Sequence, residues 1–66
     1  MTKVRFLIDS SGNVFAYFPT MFKRYRKGRF TPVRSNVDEY KKATPSQYMP
    51  LLAELQSIGY DRLHVL

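Results

Sequence analysis

The chain opens on an alternation of apolar and polar positions. In KVRFLID, residues 3–9, Val4, Phe6 and Ile8 alternate with Lys3, Arg5 and Leu7. That is the period of a half-buried strand. DSSGN follows, in which Asp9 can accept from the backbone amides ahead of it and Gly12 can take a positive φ. This predicts a type I turn closed by a glycine bulge, and so a hairpin. The second strand is VFAYF, residues 14–18, ended by Pro19, which cannot donate to a ladder. Val14, Ala16 and Phe18 share one side, and Phe15 and Tyr17 the other. Apolar residues on both sides predict a central strand, or one whose outer face is covered.

A second regular pattern occupies the C-terminal third. ATPSQY places Thr44 at an N-cap, Pro45 at the first helical position and Gln47 at the third, a capping box with a favoured proline. Tyr48, Leu51, Leu52, Leu55 and Ile58 then form one apolar stripe at helical spacing, and Gly59 supplies a left-handed stop. The helix is expected over 45–58. Pro50 removes a backbone donor inside it and predicts a kink or an offset first turn. YDRLHVL reads as a final strand over 62–66.

The middle is less regular. MFKRYR fits a third strand, with Phe22, Arg24 and Arg26 on one face and Lys23, Tyr25 and Lys27 on the other. It fits an extended loop equally well, because Gly28 and Pro32 interrupt it. VDEYKK, residues 37–42, reads as an edge strand whose charges discourage unwanted pairing. The expected fold class is α+β: a small, mainly antiparallel sheet of three to four strands packed against one helix, as a single domain over 1–66. Phe6, Ile8, Val14, Ala16, Phe18, Leu51, Leu52, Leu55, Ile58, Leu63 and Val65 are expected to line the core.

Composition narrows the chemistry. A domain of 66 residues buries only roughly 60% of the surface its unfolded chain exposes, so its stability is marginal. With no Cys and one His, disulfides, thiolate zinc sites, cysteine nucleophiles and multi-histidine metal sites are excluded. Five Phe and five Tyr must fill much of the core; dimerisation would be another source of buried area. No segment resembles a signal peptide or a membrane span, so a cytoplasmic protein with no membrane contact is expected.

No enzyme is expected. Ser10 and Ser11 lie in a turn with no nucleophile elbow, His64 has no triad context, and the three glycines are too far apart for a phosphate-binding loop. Asp38 and Glu39, as neighbours on a strand, would point to opposite faces. No metal or cofactor is expected.

Charge adds a positive indication. The net charge of +6 matches the excess carried by Lys23, Arg24, Arg26, Lys27, Arg29 and Arg34. Along the chain the remaining cations, Lys3, Arg5, Lys41, Lys42 and Arg62, balance the acids. The bland reading of such a run is a solvated edge. Two features favour a binding role: the run contains no acid, and Phe22, Tyr25 and Phe30 are interleaved with it. Lys and Arg bind phosphate, and exposed rings stack on unpaired bases. The expected binding set is Lys23, Arg24, Tyr25, Arg26, Lys27, Arg29, Phe30 and Arg34, with Tyr25 or Phe30 as the stacking ring.

The ends of the chain carry a resemblance. ATPSQYMPLLAELQSIGYDRLHVL resembles the ending of small proteins from gut anaerobes, their phages and mobile elements, whose N-terminal hairpin ends in an aromatic-Phe-Pro pattern like VFAYFP here. Relatives carry a histidine-rich stretch around a central glycine, where this chain has YRKGRFTP. The resemblance implies the order of elements and a phage or mobile-element origin, and it brings no activity with it. The expected function is therefore that of a small, basic, non-enzymatic nucleic-acid-binding accessory protein. The alternatives are a module that binds an acidic surface of a partner protein, such as a phage-encoded inhibitor of a host defence protein, and a structural homodimer.

Overall fold

A computed structural model describes residues 2–33 and 39–66. The order is β1 (Thr2–Ile8), β2 (Val14–Phe18), β3 (Lys23–Arg26), β4 (Arg29–Pro32), β5 (Lys41–Lys42), α1 (Pro45–Ser57) and β6 (Leu63–Val65). The class is α+β, with an antiparallel sheet packed against one helix. The described strands number six rather than three to four. The sheet runs β4-β3-β2-β1-β5, and β6 also pairs with β1.

The first hairpin follows its turn chemistry. The Gly12 N–H donates to the Asp9 carbonyl at 3.1 Å, and Gly12 sits at φ 85°. Asp9 Oδ1 accepts from the backbone N–H groups of Ser11 and Asn13, each at 2.9 Å. These bonds to the charged form, the Asn13 amide first, lower the Asp9 carboxyl below its ordinary range; the Asn13 side chain, Ser11 and the Arg26 charge add to the effect against some desolvation.

β3 and β4 form a second hairpin that the sequence left undecided between strand and loop. Arg26 pairs with Arg29 across Lys27 and Gly28, whose φ angles are 50° and 79°. Positive φ at both central residues is a type I′ turn, whose twist matches that of the flanking strands. Lys27 therefore belongs to the turn and not to the strand.

β1 is shared along its length on the side away from β2. Leu7 and Ile8 pair antiparallel with Lys42 and Lys41, while Thr2, Lys3 and Val4 pair parallel with Leu63, His64 and Val65. The edge strand β5 comprises only Lys41 and Lys42; part of the expected 37–42 strand lies outside the described residues. At the opposite edge, Pro32 ends β4 without an N–H to offer, which blunts that edge against strand addition.

The helix starts as its capping box dictates: Gln47 Oε1 accepts from the Thr44 N–H at 2.8 Å. It runs uninterrupted through Pro50. It ends in a Schellman motif, in which the Tyr60 N–H reaches the Leu55 carbonyl at 3.0 Å and the Gly59 N–H the Gln56 carbonyl at 3.2 Å.

The principal core lies between helix and sheet. Val4, Phe6, Ala16, Phe18, Tyr25, Ala43 and Leu55 are buried there, with Ile8, Val14, Tyr48, Leu51, Leu52, Tyr60, Leu63 and Val65 packed around them. Phe6 stacks on Tyr48 with ring centroids 4.5 Å apart. Ile58 does not join this core; it is half exposed, because it is the C-cap, where the chain has left the helical path of the stripe. A second, smaller cluster on the other face buries Leu7, Phe15 and Tyr17 beneath Val33 and Tyr40. The covered outer face expected for β2 is thus supplied by residues flanking the undescribed segment 34–38.

Candidate functional site

Registers and strand alternation assign each cation on a described strand to a face. Val4, Phe6, Ala16, Phe18 and Tyr25 face the helix, so successive residues on the same strands face the other way. Arg5 pairs with Tyr17, Tyr17 with Arg24, and Arg24 with Thr31. This row crosses the face away from the helix, from β1 to β4. Lys3, two residues from Arg5, shares its face, as does Lys42, the partner of Leu7. Arg26 and Arg29 occupy the corresponding positions beside the type I′ turn. His64, opposite Lys3, stands on this face as well.

None of the described acids stands on a strand: Asp9 is in a turn, Glu39 precedes β5, Glu54 is on the helix and Asp61 precedes β6. The described strand positions of the face away from the helix therefore carry cations and no carboxylate of their own; Asp9, in the adjoining turn, feels the charge of Arg26. This corrects the picture of an excess confined to one segment. Lys3, Arg5 and Lys42 are balanced by acids along the chain, but in space they join Arg24, Arg26 and Arg29. Neighbouring strands lie about 4.8 Å apart and residues two apart on a strand about 7 Å, so these groups form a grid with steps of about 5–10 Å.

Two contacts order the centre of this grid. Arg24 Nε donates to Thr31 Oγ1 at 3.2 Å, and the Arg24 guanidinium lies over the Phe15 ring, 5.6 Å from its centroid. A guanidinium held in this way has lost part of its rotamer freedom before any ligand arrives, and its terminal nitrogens can grip a phosphate. Arg26 directly opposes Arg29. Like charges opposed across strands are destabilising, and an anion bound between them relieves that repulsion.

The expected stacking rings lie elsewhere. Tyr25 is only 3% exposed and belongs to the helix-side core, so its ring is not a platform for a base. Burial first, then the hydrogen bond and charge of Glu54, raise its phenol above the ordinary tyrosine range; the Gly28 amide pulls weakly the other way. Phe30, 39% exposed, packs edge-on against Tyr25 at 4.8 Å and also meets Phe18 and Tyr60, each at 5.9 Å. The physical reason is alternation: aromatics and arginines interleaved in sequence separate onto opposite faces in a strand.

Lys23 takes the helix-side position on β3, paired with Phe18 and Pro32 at the margin of the sheet. Lys27 is exposed in the turn, where it and Arg26 border an open hollow of about 360 Å³ against Pro50, Leu51 and Glu54. Arg34 lies outside the described residues. Among the described residues there is no group of three or more His, Cys, Asp or Glu that could hold a metal ion, and no helix long and apolar enough to cross a membrane.

The fold and this face define a small α+β protein with a helix on one side of its sheet and a cationic surface on the other. Comparisons with protein-family models, with curated proteins and with solved structures find no match.

Proposed function

We propose that the protein binds nucleic acid through the face of its sheet that lies away from the helix. The observation that supports this is the convergence of Lys3, Arg5, Arg24, Arg26, Arg29 and Lys42 from β1, β3, β4 and β5 on the sheet face away from the helix. Phosphates are the ligands such a grid suits. Each is gripped by a charge-assisted bond, and binding releases the counterions condensed on the nucleic acid. The apolar centre of the face is already filled by Val33 and Tyr40 over Leu7, Phe15 and Tyr17. Contact is therefore with the backbone around a sealed centre, and recognition is largely independent of sequence. Arg24 is the central contact, because Thr31 and Phe15 hold it in place.

Anisotropy titrations of labelled single-stranded and duplex oligomers over a salt series test this reading. With four to six phosphate contacts assumed, log Kd should vary with log salt with a slope of magnitude roughly 3–5. Binding no tighter than millimolar at low salt would overturn it and favour an acidic protein surface as the partner.

A further inference from the structure

Phe22, in the loop between β2 and β3, has a position that the core does not explain. The loop spans Pro19 to Phe22 and joins the paired residues Phe18 and Lys23. The Met21 N–H donates to the Phe18 carbonyl at 3.1 Å, which folds the loop, and the Val33 N–H donates to the Phe22 carbonyl at 2.9 Å, which fixes its last residue. Phe22 is held there at φ 52°, a left-handed conformation that is an outlier for a bulky side chain. Phe22 is 67% exposed, the largest value among the exposed large hydrophobic residues described, and Met21 beside it is 38% exposed. An aromatic residue is thus kept in an unfavourable backbone conformation without burying its ring. Strain of this kind concentrates at ligand contacts.

We infer that Phe22 is the base-stacking residue of this protein and that it makes single-stranded nucleic acid the preferred ligand. The inference rests on the sheet-face reading above. Arg24 stands on β3 two residues beyond Phe22, so a strand whose phosphate is held by Arg24 brings an adjacent base within reach of the loop. Lys23, between them, adds a cation at the loop itself. An unpaired base has a π-face to offer, whereas a duplex keeps its bases stacked on one another. The neighbouring cations favour this occupant over an uncharged apolar partner, which would have to desolvate them.

The test compares wild type, Phe22→Ala and Phe22→Trp on a homopolymeric single strand and on a duplex of equal length, over one common salt series. Phe22→Ala should weaken single-strand binding roughly 5- to 100-fold and leave duplex binding and the salt slope unchanged. The chain has no Trp, so Phe22→Trp provides a single reporter; it should retain affinity and be quenched by the single strand. Circular dichroism melts establish that each variant is folded. Wild type that binds both forms, with Phe22→Ala unchanged on single strands and no quenching of Phe22→Trp, overturns this inference and leaves the sheet-face reading standing. Wild type that binds neither form overturns both.

Discussion

Replacing Tyr25 by Ala separates a core residue from a binding residue. The ring is 3% exposed and packed among Phe18, Phe30 and the helix-side core. Truncating a large buried aromatic costs about 3–5 kcal/mol, through lost transfer energy and the cavity left behind. Native stability is about 0.05–0.15 kcal/mol per residue, which for 66 residues comes to roughly 3–10 kcal/mol. The substitution therefore removes between about a third of the stability and all of it. With a urea m-value of about 1 kcal/mol/M for so small a domain, the midpoint should fall by about 3 M, or the transition should vanish. Tyr25→Phe keeps the ring and loses only the hydroxyl, so it should stay folded and bind oligonucleotides as wild type does. Urea melts followed by circular dichroism, with anisotropy on the folded variants, measure both. A Tyr25→Ala protein that melts like wild type and binds single strands poorly would refute the reasoning, because its ring would then be an exposed platform.

Two further outcomes follow from the turns. Arg29→Glu replaces the opposed Arg26–Arg29 pair with opposite charges, so it should stabilise the fold by about 0.2–1 kcal/mol while weakening oligonucleotide binding; a melt that shows destabilisation would count against the pairing. The Asp9 carboxyl is lowered in the folded protein, chiefly by the Asn13 amide. Its contribution is therefore complete above the unfolded value of about 3.9 and is lost as pH falls through the lower folded value. In melts from pH 6 to 2, Asp9→Asn should lose less stability than wild type below about pH 4, and identical pH profiles would contradict the assignment.

The N-terminal hairpin and the helix were legible because local signals there agree with the tertiary fold. Val4, Phe6 and Ile8 alternate, Gly12 closes the turn, and Thr44, Gln47 and Gly59 mark the helix ends. The β3–β4 hairpin was half legible. Gly28 between two alternating stretches signals a turn, but Lys27 at φ 50° lacks the usual Asn, Asp or Gly of a type I′ turn. Ile58 kept the helical spacing but fell one residue beyond the last turn, which no periodicity reveals. The basic face was the least legible part. Charge counted along the chain cancels Lys3, Arg5 and Lys42 against distant acids; only the registers show that the described acids lie in turns and on the helix, while these cations share a sheet face. The interleaving of aromatics and arginines misled for the same reason, since a period of two places adjacent residues on opposite faces.

Lys41 and Lys42 offer the most direct measurement of the central claim, because they are sequence neighbours on opposite faces of β5. Lys42 pairs with Leu7 and so shares the face of Arg5, whereas Lys41 pairs with Ile8 on the helix side. Both are exposed, and each substitution by Gln removes the same charge. The salt dependence of single-strand affinity is measured for Lys42→Gln, for Lys41→Gln and for the double variant Lys3→Gln/Lys42→Gln. Each lost phosphate contact should flatten the log–log slope by about 0.7, so Lys42→Gln should flatten it by about that much and the double variant by about 1.4. Lys41→Gln should leave the slope at the wild-type value. Equal effects of Lys41→Gln and Lys42→Gln, or no effect of the Lys3/Lys42 pair on a protein that binds through residues 22–34 alone, would contradict a binding surface built by the sheet.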